Sequence, residues 1–178
     1  GGAIFIANNA TATIENCVFA NNGGVGGLTC QYGGAIEDEG NQSPTIRNCT
    51  FFGNVGTFGG AIEIVSSGTT SIIDCVMWGN DSAGPEFYNN GKTVYFAGNT
   101  IKNGIAQFTQ PSGTPSNGGS NDALDPLFFN ASDPDGADNL FGTADDGLTP
   151  LPPSPAMDGG VGALAFDIVG RPRNAGGG

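Results

Sequence analysis

Five aspartates crowd the stretch 133–147: Asp133, Asp135, Asp138, Asp145 and Asp146. The run Asp-Pro-Asp-Gly-Ala-Asp sets carboxylates at alternate or near-alternate positions around a glycine turn. A hard cation such as calcium takes about six to eight oxygens at ~2.3–2.6 Å. These acids, helped by backbone carbonyls, are candidates for such a shell, and carboxylates this dense repel one another without a counter-ion. The expected cofactor is therefore calcium; the competing reading is a solvated acidic turn.

A second acidic group, Glu37, Asp38, Glu39 and Glu63, invites an enzymatic test. Glu37 and Glu63 occupy the same place after two copies of one motif. Paired carboxylates hydrolyse glycosides when one is protonated and they lie about 5–9.5 Å apart. The competing reading makes all four solvent-facing. Phe58, Trp78, Phe87, Tyr88 and Tyr95 are candidate platforms for sugars, or else cover for a core. The chain has no histidine, which removes the commonest general base and transition-metal ligand. Its cysteines are Cys17, Cys30, Cys49 and Cys75, with no Cys-x-x-Cys pair, so a zinc site is not expected. Cys17, Cys49 and Cys75 read as a stack of buried thiols in neighbouring coils. A bridge from Cys30 to one of them stays open.

Composition narrows the partners. Net charge is −12, from 17 acids against five bases. That argues against nucleic acid, whose phosphates call for a basic patch, and against anionic membrane surfaces. No stretch is long and apolar enough to span a bilayer. Thirty-two glycines and little charge point to frequent bends rather than long helices.

The elements that position these residues come from repetition. Gly-Gly-Ala-Ile occurs at 1–4, 33–36 and 59–62. Each copy is followed by a related phrase: Ile14-Glu15-Asn16-Cys17-Val18-Phe19, Ile46-Arg47-Asn48-Cys49-Thr50-Phe51 and Ile72-Ile73-Asp74-Cys75-Val76-Met77. The cysteine place recurs at 17, 49 and 75 and, as asparagine, at 99, which gives spacings of 32, 26 and 24. Three apolar columns follow: Ile14, Ile46, Ile72 and Phe96; Phe19, Phe51, Met77 and Ile101; Ile4, Ile36 and Ile62. Alternation in each short run places a column on one strand face. Asn16, Asn48, Asp74 and Gly98 suit left-handed bends, and so do Asn22, Asn54, Asn80 and Gly104. Asn22, Asn54 and Asn80 also read as an amide ladder, each bonding the next coil. The predicted fold is all-β: a right-handed parallel β-helix of about four coils with an irregular C-terminal module. Residues 1–109 form the solenoid, 110–123 a linker loop by its Pro, Ser and Gly content, and 124–178 an acidic, calcium-binding module.

Gly-Gly-Ala-Ile with Phe-x-x-Asn, here Phe19 to Asn22 and Phe51 to Asn54, resembles the repeats of polymorphic outer-membrane-protein-type β-helices. The order Asp125-Pro126-Leu127-Phe128, the acidic loop, then Ser154-Pro155-Ala156-Met157-Asp158-Gly159 resembles bacterial surface β-helix proteins with a choice-of-anchor segment. The acidic loop is similar to calcium loops of the thrombospondin-repeat and EF-hand kind, without their closing glutamate. The resemblance implies a non-catalytic structural or adhesive protein at a bacterial surface, outside the cell. The partner it implies is a cell surface or an extracellular polysaccharide. A coil that opens at Gly-Gly-Ala-Ile without a cap adds an expectation of head-to-tail self-association into a fibre. The alternative is a carbohydrate-active enzyme or binding module on the same fold. Lyases of this fold use a basic residue beside calcium, and Arg47 is the only base in the first 91 residues.

Overall fold

A computed structural model describes the chain except for residues 26–27, 66–67, 81–82, 109–113, 158, 163 and 173–178. Its body is a stack of coils whose strands form three parallel sheets. The first sheet holds Ile4–Ile6, Ile36–Asp38, Ile62–Val65 and Phe87–Asn90. The second holds Thr13–Glu15, Thr45–Arg47, Thr69–Ile73, Thr93–Ala97 and Thr114–Asn117. The third holds Val18–Ala20, Thr50–Phe52, Val76–Trp78 and Thr100–Ile101. Each coil contributes one short strand to each sheet, so equivalent residues stack in register: Ile14, Ile46, Ile72 and Phe96 pair in order, as do Phe19, Phe51, Met77 and Ile101. Ile36, Ile46, Ile62, Ile64, Ile72, Met77, Phe96 and Ile101 are fully buried. Phe19 and Phe51 stack with ring centroids 4.8 Å apart and nearly parallel planes.

The corners explain why short strands suffice. Asn16, Asn48, Asp74 and Gly98 all take positive φ and turn the chain from the second sheet to the third. In the first three coils the next corner falls one place earlier than the sequence suggests, while Gly104 in the fourth is left-handed as expected. Asn21, Gly53 and Gly79 are left-handed, while Asn22, Asn54 and Asn80 are not. The ladder asparagines turn their amides inward, and the residue before each takes up the bend. At Gly59 the φ of 76° and a Cβ that would lie 2.1 Å from the Ile62 carbonyl oxygen leave room only for glycine.

One expectation of organisation is corrected. Part of the segment 110–123 is not a linker. Thr114–Asn117 adds a strand to the second sheet, and Asp122 bridges to Thr100, so the stack runs into a partial fifth coil. Pro115 is tolerated because this strand lies at the edge. After residue 124 the described chain has turns and isolated bridges, Phe128 with Pro150 and Phe166 with Pro172. This module lies along the side of the stack. The Val161 and Gly162 amides donate to the Asp74 carboxylate at 2.6 and 2.9 Å, Asn16 Nδ2 donates to the Phe166 carbonyl, and Phe128 meets Phe52 edge-on. No described helix is long and apolar enough to cross a membrane.

Candidate functional site

The register of the first sheet sets one outward column: Phe5, Glu37, Glu63 and Tyr88. Beside it the short strands Leu28–Tyr32 and Gly56–Phe58 pair in parallel and bring Tyr32 next to Phe58. Together they shape a cleft of ≈ 340 Å³ lined by Tyr32, Glu39, Phe58, Glu63, Val65, Tyr88 and Asn90. Glu63 is almost fully buried and its Oε2 has no hydrogen-bond partner. Burial, then the charges of Glu37 and Glu39, push its carboxyl up to about 7. Near neutral pH this side chain is a proton donor poised to become a proton acceptor, as general acid–base chemistry requires.

The raised value has a consequence for stability. An acid whose folded pKa lies above its unfolded one holds its proton better in the folded state. The contribution of Glu63 is therefore fully present below pH 4.5 and is lost as pH rises through about 7. We expect Glu63→Gln to flatten the fall in Tm across that window, read by thermal melts at several pH values. An unchanged slope would show that Glu63 is solvated.

The aromatic side chains do not form the open platform that their sequence suggested. Tyr32 and Phe58 stack on each other at 5.6 Å with planes 18° apart, and Phe58 meets Tyr88 at 5.0 Å. Phe58 is thus flanked by Tyr32 and Tyr88, and Tyr32 stays 39% exposed. Phe87 turns the opposite way, into the core against Phe96. Trp78 lies on the third sheet and Tyr95 on the second, away from the cleft.

Asp38 is not solvent-facing. Alternation turns it inward, in the column Ile6, Asp38, Ile64 and Asn89. There Lys92 Nζ donates to Asp38 Oδ2 at 2.7 Å, and the two side chains are 0% and 1% exposed. Thr70 Oγ1 donates to the same oxygen at 3.1 Å, and the Gly40 amide donates to Oδ1 at 3.0 Å. Asn89 holds the Lys92 backbone by both its amide and its carbonyl. Sequence reasoning missed this pair, although the alternation of Ile36-Glu37-Asp38 already pointed Asp38 inward.

The amide ladder is continuous. Asn22 N and Nδ2 both donate to Asn54 Oδ1, at 3.0 and 2.8 Å, and Asn54 repeats the pattern on Asn80 at 2.9 and 2.8 Å. Glu86 ends the file by accepting from Asn80 N and Nδ2. A second file begins with thiols. Cys49 Sγ and Cys75 Sγ point at the carbonyls of Ile14 and Ile46, each at 3.7 Å. Asn99 and Asn121 point Nδ2 at the carbonyls of Ile72 and Phe96, each at 2.9 Å. Thiol and amide thus fill one slot in successive coils. All four cysteines are free; Cys49 and Cys75 are buried, Cys17 and Cys30 partly so. Burial raises the Cys75 thiol, which keeps it protonated and able to donate. Asn121 went unread, although its 22-residue spacing from Asn99 continues the series.

The acidic loop closes on itself. The Gly147 amide donates to the Pro134 carbonyl at 3.0 Å, and the Asn130 amide donates to the Gly147 carbonyl at 2.9 Å. Asp138 accepts from the Leu140 amide, Asp145 from the Asp138 amide and the Thr143 hydroxyl, and Asp146 from the Gly142 amide. The Thr143 hydroxyl holds the Asp145 carboxyl below its usual range. Among the described residues no three His, Cys, Asp or Glu side chains converge on a point that would hold a metal. Asp133, Asp135, Asp138, Asp145 and Asp146 therefore do not fit a calcium shell as they are arranged. On the solenoid, Arg47 pairs with Glu15 across neighbouring coils, its Nε 2.7 Å from Oε1.

Residues 1–108 match the family model described as Right handed beta helix region. No curated protein and no solved structure matches the chain.

Proposed function

We propose that this chain, which belongs to the right-handed β-helix family, works as a non-catalytic structural or adhesive solenoid outside the cell. One observation carries the reading: inward apolar and amide side chains stack in register from coil to coil. Aromatic rings stack on rings, amides bond amides, and Arg47 is matched by Glu15. Such a wall is built to hold shape and to present a repeating surface. The family itself includes surface proteins and carbohydrate-active enzymes, so the choice rests on this geometry. The partner proposed is a cell surface or an extracellular polysaccharide.

End-to-end self-association belongs to the same proposal. Successive coils bond through one repeated set of contacts, such as Thr50 to Cys17, Val76 to Cys49 and Thr100 to Cys75 through the backbone. The top of one coil therefore complements the bottom of another, and a head-to-tail contact of that kind grows without closing. Light scattering of concentrated protein should show mass rising with concentration, and electron microscopy should show filaments. A monomer at every concentration removes assembly from the reading.

Calcium at Asp133, Asp135, Asp138, Asp145 and Asp146 is a separate element of the proposal, because it requires those carboxylates to regroup. An ion bound only by the folded chain raises Tm. Melts in chelator and in millimolar calcium should differ, with the higher Tm in calcium. Equal melts exclude the ion.

A second reading has its own observation, the buried and unpartnered Glu63 Oε2 at the floor of the cleft. With Glu37 in register beside it, Glu63 would serve as the general acid of a glycoside hydrolase. Turnover of a glycan by the native chain, lost in Glu63→Gln, would favour the enzyme over the scaffold. A silent screen of neutral and acidic glycans would favour the scaffold.

A further inference from the structure

The Lys92–Asp38 contact has more chemistry in it than an ion pair requires. A buried ion pair loses the hydration of both charges, and its mutual attraction must make up that loss. Moving one proton from Nζ to Oδ2 removes both charges at once and leaves an amine facing a carboxylic acid. The reaction starts from that neutral pair. The amine is a nucleophile once it has lost its proton. At 2.7 Å from Oδ2 it lies against the carboxyl group it would attack. Groups held in such a geometry react with effective molarities that reach about 10⁵–10⁸ M.

The surrounding groups fit the needs of that reaction. The Gly40 amide donates to Asp38 Oδ1 at 3.0 Å, where negative charge develops when the carboxyl carbon becomes tetrahedral. The Thr70 hydroxyl lies 3.1 Å from Oδ2 and 3.5 Å from Nζ, between the atom that loses a proton and the atom that must gain one. Asn89 fixes the Lys92 backbone, and the Gln42 carbonyl 3.4 Å from Nζ helps aim the amine.

We propose that Lys92 and Asp38 condense into an intramolecular isopeptide bond within the folded core. The Nζ lone pair attacks Asp38 Cγ and a C–N bond forms. Oδ2, having taken one proton directly and a second through Thr70, breaks from Cγ and leaves as water. Nothing is oxidised or reduced, and no co-reactant is consumed. The product is a neutral amide at a buried site. The bond links positions 54 residues apart, joining the second coil to the fourth.

Mass spectrometry of the full chain tests this. The intact mass should fall short of the sequence by one water, and proteolysis should release a branched peptide joining Lys92 to Asp38. Lys92→Met should restore the full mass. Thr70→Val, which keeps the shape of the side chain, should slow the loss of water when unmodified chain is refolded and followed in time. A full intact mass, with Lys92 acylated by an amine reagent once the chain is unfolded, overturns the bond and leaves an ion pair. So does a water loss that fragmentation maps to Asp135-Gly136 or Asp146-Gly147, where aspartate can cyclise on its own backbone.

Discussion

Measured against wild-type chain whose Lys92–Asp38 pair has not condensed, Lys92→Ala should lower the unfolding free energy by about 3–5 kcal/mol, the usual result of stranding one member of a buried charged pair. The variant leaves Asp38 inside the core with only Thr70 and the Gly40 amide as donors. It also removes a large, fully buried side chain, and the cavity left behind adds to the cost. Asp38→Ala should lose a comparable amount by leaving the ammonium unpaired. The double variant Lys92→Met with Asp38→Leu should recover most of the loss, because an apolar pair of similar volume is often as stable as the ions it replaces. Urea unfolding of the four proteins, wild type included, gives the cycle. A loss below about 1 kcal/mol in either single variant, the range of exposed pairs, would mean that water reaches this site.

Asn54→Ala should be comparable in size, at about 2–6 kcal/mol, summed over two sites left unpaired at ~1–3 each. The Asn22 backbone and side-chain amides lose their shared acceptor and the Phe19 carbonyl loses its donor. Asn80 still receives the Asn54 backbone amide, so the damage falls on the earlier coil. Asn22→Ala, at the end of the file, removes only the Nδ2 donor to Asn54 Oδ1, keeps the backbone donor, and should cost about 1 kcal/mol. The contrast between middle and end is the test, read again by urea midpoints. Equal losses at both positions would show that the asparagines act one by one instead of as a file.

Most of the solenoid was legible because its signals are local and repeated. Ile14, Ile46, Ile72 and Phe96 announce a column by alternation alone, and Asn16, Asn48 and Asp74 announce a bend by residue type. Where a residue serves two demands, type misleads. Asn54 looks like a corner residue, yet its amide is needed inside, and Gly53 bends the chain in its place. Asp38 looks like a surface residue, yet its partner lies 54 positions away, beyond the reach of any local pattern. The strand Thr114–Asn117 was hidden by composition. Lying at the edge and mostly exposed, it has no apolar face to display.

The cleft was half visible. The matching places of Glu37 and Glu63 after Gly-Gly-Ala-Ile predict their pairing, and the register has it so. The burial of Glu63 was not visible. It depends on Tyr32 and Phe58, each the residue before a Gly-Gly-Ala-Ile copy, whose short strands pair beside the three main sheets. The acidic loop shows the opposite case. Its composition spoke for a cation, while the fold turns Asp138, Asp145 and Asp146 to backbone amides.

The two kinds of inner contact differ in what they permit over generations. The amide and thiol files are modular: each rung touches only its neighbour, so a coil copied or lost leaves every other rung intact. Lys92 does not obey that rule. It passes the third coil to reach the second, and its stem has one fixed length. Excising a coil between them would drive the ammonium past its acceptor, and inserting one would leave it short. The lysine thus acts as a ruler in a wall of otherwise interchangeable bricks, and it fixes the number of coils that lineages of this chain can carry between Asp38 and Lys92.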